Sequence, residues 1–189
     1  GSSKGLEGAV GLKTKDGELY MLGLCEGNHC EEGKLGKDKG NGLAVLMKKE
    51  INVADPIEGY TCVWKTQRML SIPKQAYFQD YSAIAINAQG RVAITSQEES
   101  QVWLGSLTHV AEDGTFDPEK SEFSDDSNTD VVYDFPRDTN CATVYCNVEG
   151  IHWINDEMLV GVSDKMKKGG KQDFRCLQKD QSIHVFVMP

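Results

Sequence analysis

Glu149 to Lys165 reads EGIHWINDEMLVGVSDK, two hydrophobic runs around the turn-forming pair Asn155-Asp156. That is the pattern of an antiparallel hairpin. The same form occurs twice more. Glu7 to Asn28 is EGAVGLKTKDGELYMLGLCEGN, with its turn at Asp16-Gly17, and Tyr81 to Glu99 is YSAIAINAQGRVAITSQEE, with its turn at Gln89-Gly90. Each opens on an acidic or small polar residue and closes on a polar stretch holding an acid, Glu26, Glu98 or Asp164. A strand-bearing unit that recurs at wide intervals constrains the chain to a propeller or a similar array.

The stretches between the hairpins supply further short strands: Leu43–Met47, Thr61–Ile72, Gln101–Leu107, Val131–Phe135 and Ser182–Met188. None has a 3.6-residue apolar period, so the fold class is all-β. The expected architecture is a partial β-propeller of about three four-stranded blades, over residues 6–73, 81–135 and 149–188 of a single domain. A β-sandwich, also built of short strands, is the alternative. The units repeat at roughly 70-residue spacing, longer than the usual 40–50 of a blade. The surplus falls in polar loops at Cys30–Gly42, Glu112–Asp130 and Lys167–Asp180, which carry too little apolar surface to add to a core. A turn is expected over Asn52–Glu58, at Asp55-Pro56.

The third unit has three strands where the others have four, and nothing before Leu6 supplies the missing one. A propeller closes with about four to eight blades. The chain is therefore expected to be completed by the rest of a longer protein or by other protein chains, two copies giving six blades.

Charge excludes one class of partner. With 29 Asp and Glu against 20 Lys and Arg, the net charge is −9. Nucleic acid is disfavoured, because phosphate contacts need clustered cations; the short basic runs at Lys48-Lys49 and Lys165–Lys171 lie in or beside loops. No run of ~18 apolar residues spans a membrane, and no signal peptide is visible. Six cysteines are many for a cytosolic chain of this length. Cys25/Cys30 and Cys141/Cys146 share one spacing, leaving Cys62 and Cys176. These three pairs are the expected disulfides, which places the protein outside the cell or in the secretory pathway. The spacing does not suit a zinc site.

In a propeller the first strand of each blade lines the central channel. That puts Glu7, Tyr81 and Glu149 at equivalent channel positions, and Glu26, Glu98 and Asp164 at a second set. Such a mouth suits Ca²⁺, which takes six to eight oxygen ligands, with Glu7, Glu149 and Asp164 as the metal candidates. The alternative is structural: a Glu before Gly at a strand start accepts backbone N–H bonds and fixes the turn. Glu149-Gly150 with Val162-Ser163-Asp164, and Glu7-Gly8 with Leu24-Cys25-Glu26-Gly27, resemble the openings and closings of phytase-like and NHL-type β-propellers. The resemblance implies either a Ca²⁺-dependent hydrolase or a binding module. The middle unit departs from the pattern with Tyr81-Ser82, so a binding and assembly module is the first expectation and the hydrolase the second.

Other motifs carry less. Asp125–Asp130, DDSNTD, begins like an EF-hand loop but lacks the Gly and Glu such a loop needs, with Pro136 at its twelfth place. Gly40–Gly42 is not followed by GK[ST]. Ser96 and Ser163 have no nucleophile elbow around them. Trp64, Trp103 and Trp153 each fall in an expected strand, as inter-blade core or as a carbohydrate-stacking face. No N-x-[ST] sequon is present.

Overall fold

The computed structural model describes residues 5–52, 61–165, 176 and 181–188. The expected turn over 53–58 and most of the loop over 167–180 lie outside them. The described chain is all-β: eleven strands form three antiparallel sheets, each a meander in chain order. The first sheet holds β1 (Leu6–Lys13), β2 (Leu19–Cys25), β3 (Leu43–Asn52) and β4 (Thr61–Ser71). The second holds β5 (Ala83–Ile86), β6 (Arg91–Ser96), β7 (Gln101–Ser106) and β8 (Val131–Asp134). The third holds β9 (Val148–Trp153), β10 (Met158–Ser163) and β11 (Ile183–Val187). None of the three closes on itself.

The turns follow from local chemistry. Gly17 and Gly90 take φ of +83° and +79°, which only glycine adopts without strain. In the third hairpin, Asn155 Oδ1 instead accepts the N–H groups of Glu157 and Met158.

The sheets stack in chain order. One apolar cluster joins Tyr20, Leu22, Leu24, Leu46 and Leu70 of the first sheet to Ile84, Ile94 and Trp103 of the second. Another joins Ala85, Ala93, Val102 and Leu104 of the second to Trp153, Leu159 and Phe186 of the third. Because side chains alternate across a strand, every sheet has a forward face, toward the sheet that follows, and a rear face. The inner strands run beside one another, β1 against β5 and β5 against β9. At the first approach a Cβ on Gly8 would lie 2.9 Å from the Ile84 amide nitrogen. At the second, Ser82 Oγ donates to the Val148 carbonyl at 2.9 Å.

The loop Glu112–Asp130 differs from expectation. Phe116 and Phe123 are buried in the first cluster, Phe116 edge-on to Tyr20 and Phe123 edge-on to Trp103. The Phe116 amide donates to the Lys13 carbonyl, and Arg68 binds the Pro118 and Ser121 carbonyls and the Glu122 carboxylate. Two aromatics, widely spaced among acids, bury enough surface to dock a loop that is polar elsewhere.

The Gly8 approach sets a test. Gly8→Val should destabilise the chain by about 1–3 kcal/mol, since the added atoms meet backbone. Gly11→Val, whose Cβ has open space, should stay within about 0.5 kcal/mol of wild type. Urea unfolding followed by Trp fluorescence reads both; equal effects would show that the inner strands are not in close contact.

Candidate functional site

One end of the seam between the first and second sheets is polar and tightly bonded. β2 closes on Cys25, and the chain then makes a 3₁₀ turn over Asn28–Cys30 and a single helical turn over Gly33–Gly36. Asn28 is fully buried. Its Nδ2 donates to the carbonyls of Gly36, Phe78 and Gln79 at 3.2–3.3 Å, and its Oδ1 accepts the Asn41 amide at 2.9 Å. Two N–H bonds thus serve three acceptors, tying the loop after β2 to the segment before β5. Tyr81 is buried beside it and donates to the Ala76 carbonyl at 3.0 Å. Burial keeps its phenol protonated well above the ordinary range. Gly42 leaves the space that the Tyr81 ring fills.

Asp80 lies at the same junction, 1% exposed and bridged in antiparallel fashion to Gly27. Its Oδ1 accepts Ser96 Oγ at 2.6 Å and the Glu98 amide at 3.3 Å. Its Oδ2 is buried with no partner among the described residues. Ser96 also contacts Glu99 Oε2, while Glu99 Oε1 is paired with Lys39 at 2.6 Å and accepts the Gln79 amide. Two carboxyl groups therefore compete for one hydroxyl proton. Burial pushes the Asp80 carboxyl above the usual carboxylate range, against the opposing hydrogen bonds from Ser96 and Glu98, with the charges of Glu98 and Glu99 adding to the rise.

Beside this network is a cleft of about 430 Å³, whose walls include His29, Asn41, Ser71, Lys74 and Asp125. His29 Nε2 is 2.9 Å from Asp38 Oδ2. His29 and Cys30 have φ of +57° and +54°, in the left-handed region, and the Cys25–Cys30 disulfide and Asn28 hold them there. Such strain is common at functional sites. Among the described residues the hydrogen-bond partner of the His29 ring is Asp38, a carboxylate.

The ladder revises the expected channel set. Gly8 pairs with Leu24, Ala83 with Thr95 and Gly150 with Val162. A bulge falls between Leu6 and Gly8 and another between Val148 and Gly150. Glu7 and Glu149 are thus equivalent extra residues of two bulges. Ser82, not Tyr81, holds their place in the second sheet, where there is no bulge, and Gln97 rather than Glu98 aligns with Glu26 and Asp164. An alignment of the repeats on their opening residues runs one place out where the bulge is missing. Glu7, Glu98 and Asp164 are exposed, Glu26 and Glu149 half-buried, and Tyr81 is core.

Glu7 and Glu149 lie on strands separated by β5, and among the described residues no three His, Cys, Asp or Glu side chains are grouped to hold a metal ion. Glu7, Glu149 and Asp164 are accordingly not brought together as one such group. Two disulfides are present, Cys25–Cys30 as expected and Cys146–Cys176. The expected pairs Cys141–Cys146 and Cys62–Cys176 are not formed; Cys62 and Cys141 are free and exposed. Cys141 sits in a turn closed by hydrogen bonds to Asp138, and Cys62 is on the outermost strand of the first sheet, away from the third.

Two outer sheet faces are apolar. The forward face of the third sheet exposes Val162, Ile183, Val185 and Val187, the last three at 56–77%. The rear face of the first sheet exposes Leu6, Leu19, Ile51, Trp64 and Met69, at 42–61%. Trp103 and Trp153 are core. Among the described residues no helix is long and apolar enough to cross a membrane. The chain matches no family model, no curated protein and no solved structure.

The polar junction gives two expected outcomes. Asn28→Ala removes the donor shared by three carbonyls and should cost at least about 2 kcal/mol in urea unfolding. Asp80 favours its proton in the folded state, so its stabilising contribution is complete below the unfolded carboxylate pKa of about 3.9 and is lost as pH rises through the raised folded value. Asp80→Asn should therefore gain in Tm relative to wild type as pH rises from about 4 to 8. A difference independent of pH would show that Asp80 is ionised in the fold.

Proposed function

We propose that the three sheets are consecutive blades of a β-propeller of the phytase-like or NHL type, and that this part of it works as a binding and assembly module. The observation that carries the reading is the pair of uncovered apolar sheet faces, one at each end of the stack. The two inner seams bury faces of the same composition. Exposed apolar patches of this kind are uncommon on monomers and mark protein contact surfaces. The partner is protein: further blades or another chain.

The two disulfides favour an oxidising setting, outside the cell or in the secretory pathway. Thiol titration of the denatured, unreduced protein should then find two free thiols, Cys62 and Cys141. Six would remove both disulfides and the compartment with them.

Sedimentation equilibrium tests the assembly. The expected result is reversible association beyond the 20.9 kDa chain, with binding of an apolar dye that falls as association proceeds. A monomer at every concentration, unfolding cooperatively and binding no dye, would end the reading.

A further inference from the structure

The ladder shows what each open face is built to meet. Forward-facing residues line up in columns across each sheet. In the first sheet one column is Gly8, Leu24, Ala44 and Leu70; in the second it is Ala83, Thr95, Val102 and Tyr133. The third sheet repeats it as Gly150, Val162 and Ile183, with His152, Val160 and Val185 as the next column. The first two columns are covered by the rear face of the sheet that follows. The third is open. Gly150 stands where Gly8 stands, at the point where an inner strand comes against the backbone of the next. The space on the Gly8 side holds Ile84, whereas a Cβ at Gly150 would meet only Val162 of its own sheet.

The rear faces obey the same order. Ile84, Ile94 and Trp103 form the column that meets the first sheet, and Ile151, Gly161 and His184 hold that place in the third. Its equivalent in the first sheet is Ala9, Gly23, Val45 and Met69, and it is uncovered. The described chain thus has one open forward face and one open rear face, of the two kinds that pair twice inside it.

We propose that the forward face of the third sheet docks against the rear face of the first sheet of a second copy, repeating the seams between the first and second and the second and third sheets. This rests on the assembly reading and adds its partner, its polarity and its residues. The contact is heterologous: a face never meets its own kind, and two copies joined front to back at both junctions form a closed ring of six sheets.

Charge placed on each face separately tests the polarity. Val185→Asp marks the forward face and Met69→Asp the rear face; both residues are well exposed, so folding should survive, as near-UV circular dichroism would show. Ile183→Asp and Ile51→Asp, on the same two faces, stand in if either variant misfolds. Each single variant should be monomeric in sedimentation velocity. Mixed in equal amounts, the two should form a 1:1 dimer, because the unmodified rear face of one meets the unmodified forward face of the other. A mixture that stays monomeric, or a single variant that still dimerises, overturns the front-to-back contact while leaving a self-associating wild type as support for assembly alone. A monomeric wild type overturns both.

Discussion

A sheet with two apolar faces has to be packed on both sides, and that constraint organises this protein. An ordinary antiparallel sheet alternates apolar and polar residues and needs one cover. Here Leu22 and Leu24 of β2 face the second sheet while Met21 and Gly23 lie on the other side, and β6 alternates Val92 and Ile94 with Ala93 and Thr95, all buried. The second sheet, covered front and back, buries side chains on both faces, Trp103 on one and Val102 on the other. The end sheets have the same double-sided pattern and only one cover each. Their outer residues are what remains when a stacking rule is followed past the last described neighbour.

Apolar packing fixes the order of the sheets but says little about how far one can slide on the next. Directional bonds supply that restraint at the polar junction. Asn28, Tyr81 and Asp80 bridge the segment before β5 to the loop after β2, in a place too dry for water to compete. The disulfide Cys25–Cys30 shortens the same loop, holding His29 and Cys30 in conformations they would otherwise leave. The seam between the second and third sheets is fastened differently. Arg91 stacks over Trp153 at 4.9 Å and donates to the Asp156 carbonyl, and Asn87 donates to the Asp156 carboxylate at 3.0 Å. That exposed fastening adds to the buried bond from Ser82 Oγ to the Val148 carbonyl at the same seam.

Most of the strand plan was legible because it depends on local pattern: the three hairpins, and the strands starting at Gln101 and Val131, appear within a residue or two of where alternation and turn residues put them, while the strand from Leu43 runs five residues past its expected end at Met47 to Asn52. What depends on non-local geometry was not legible. The bulges at Glu7 and Glu149 have no counterpart at Ser82, so aligning the units by their first residues misplaced Tyr81, a core residue, among channel positions. Equal spacing suggested that Cys141 would pair as Cys25 does, but the turn at Asp138 carries it outward, and Cys176 is brought to Cys146 from 30 residues away. Asn28 and Asp80 gave no signal: one reads as a turn residue, the other as a surface acid, and their burial follows from two loops meeting.

The outer edges show how the same chain treats strands differently according to what lies beyond them. β4, the outermost strand of the first sheet, carries Lys65, Thr66, Gln67 and Arg68 along its length, and charge of this kind discourages another strand from pairing. β8 ends the second sheet after four residues, and Gln101 and Arg137 hold Asp134 at its close. β11 has neither device. It alternates Ile183, Val185 and Val187 outward with His184 and Phe186 inward, and among the described residues pairs only with β10. The third sheet thus has the least protected edge and the most exposed face together. Its strands are packed on one face where those of the second sheet are packed on two, while losing the same conformational entropy. Covering its forward face would therefore add to the stability of the third sheet itself.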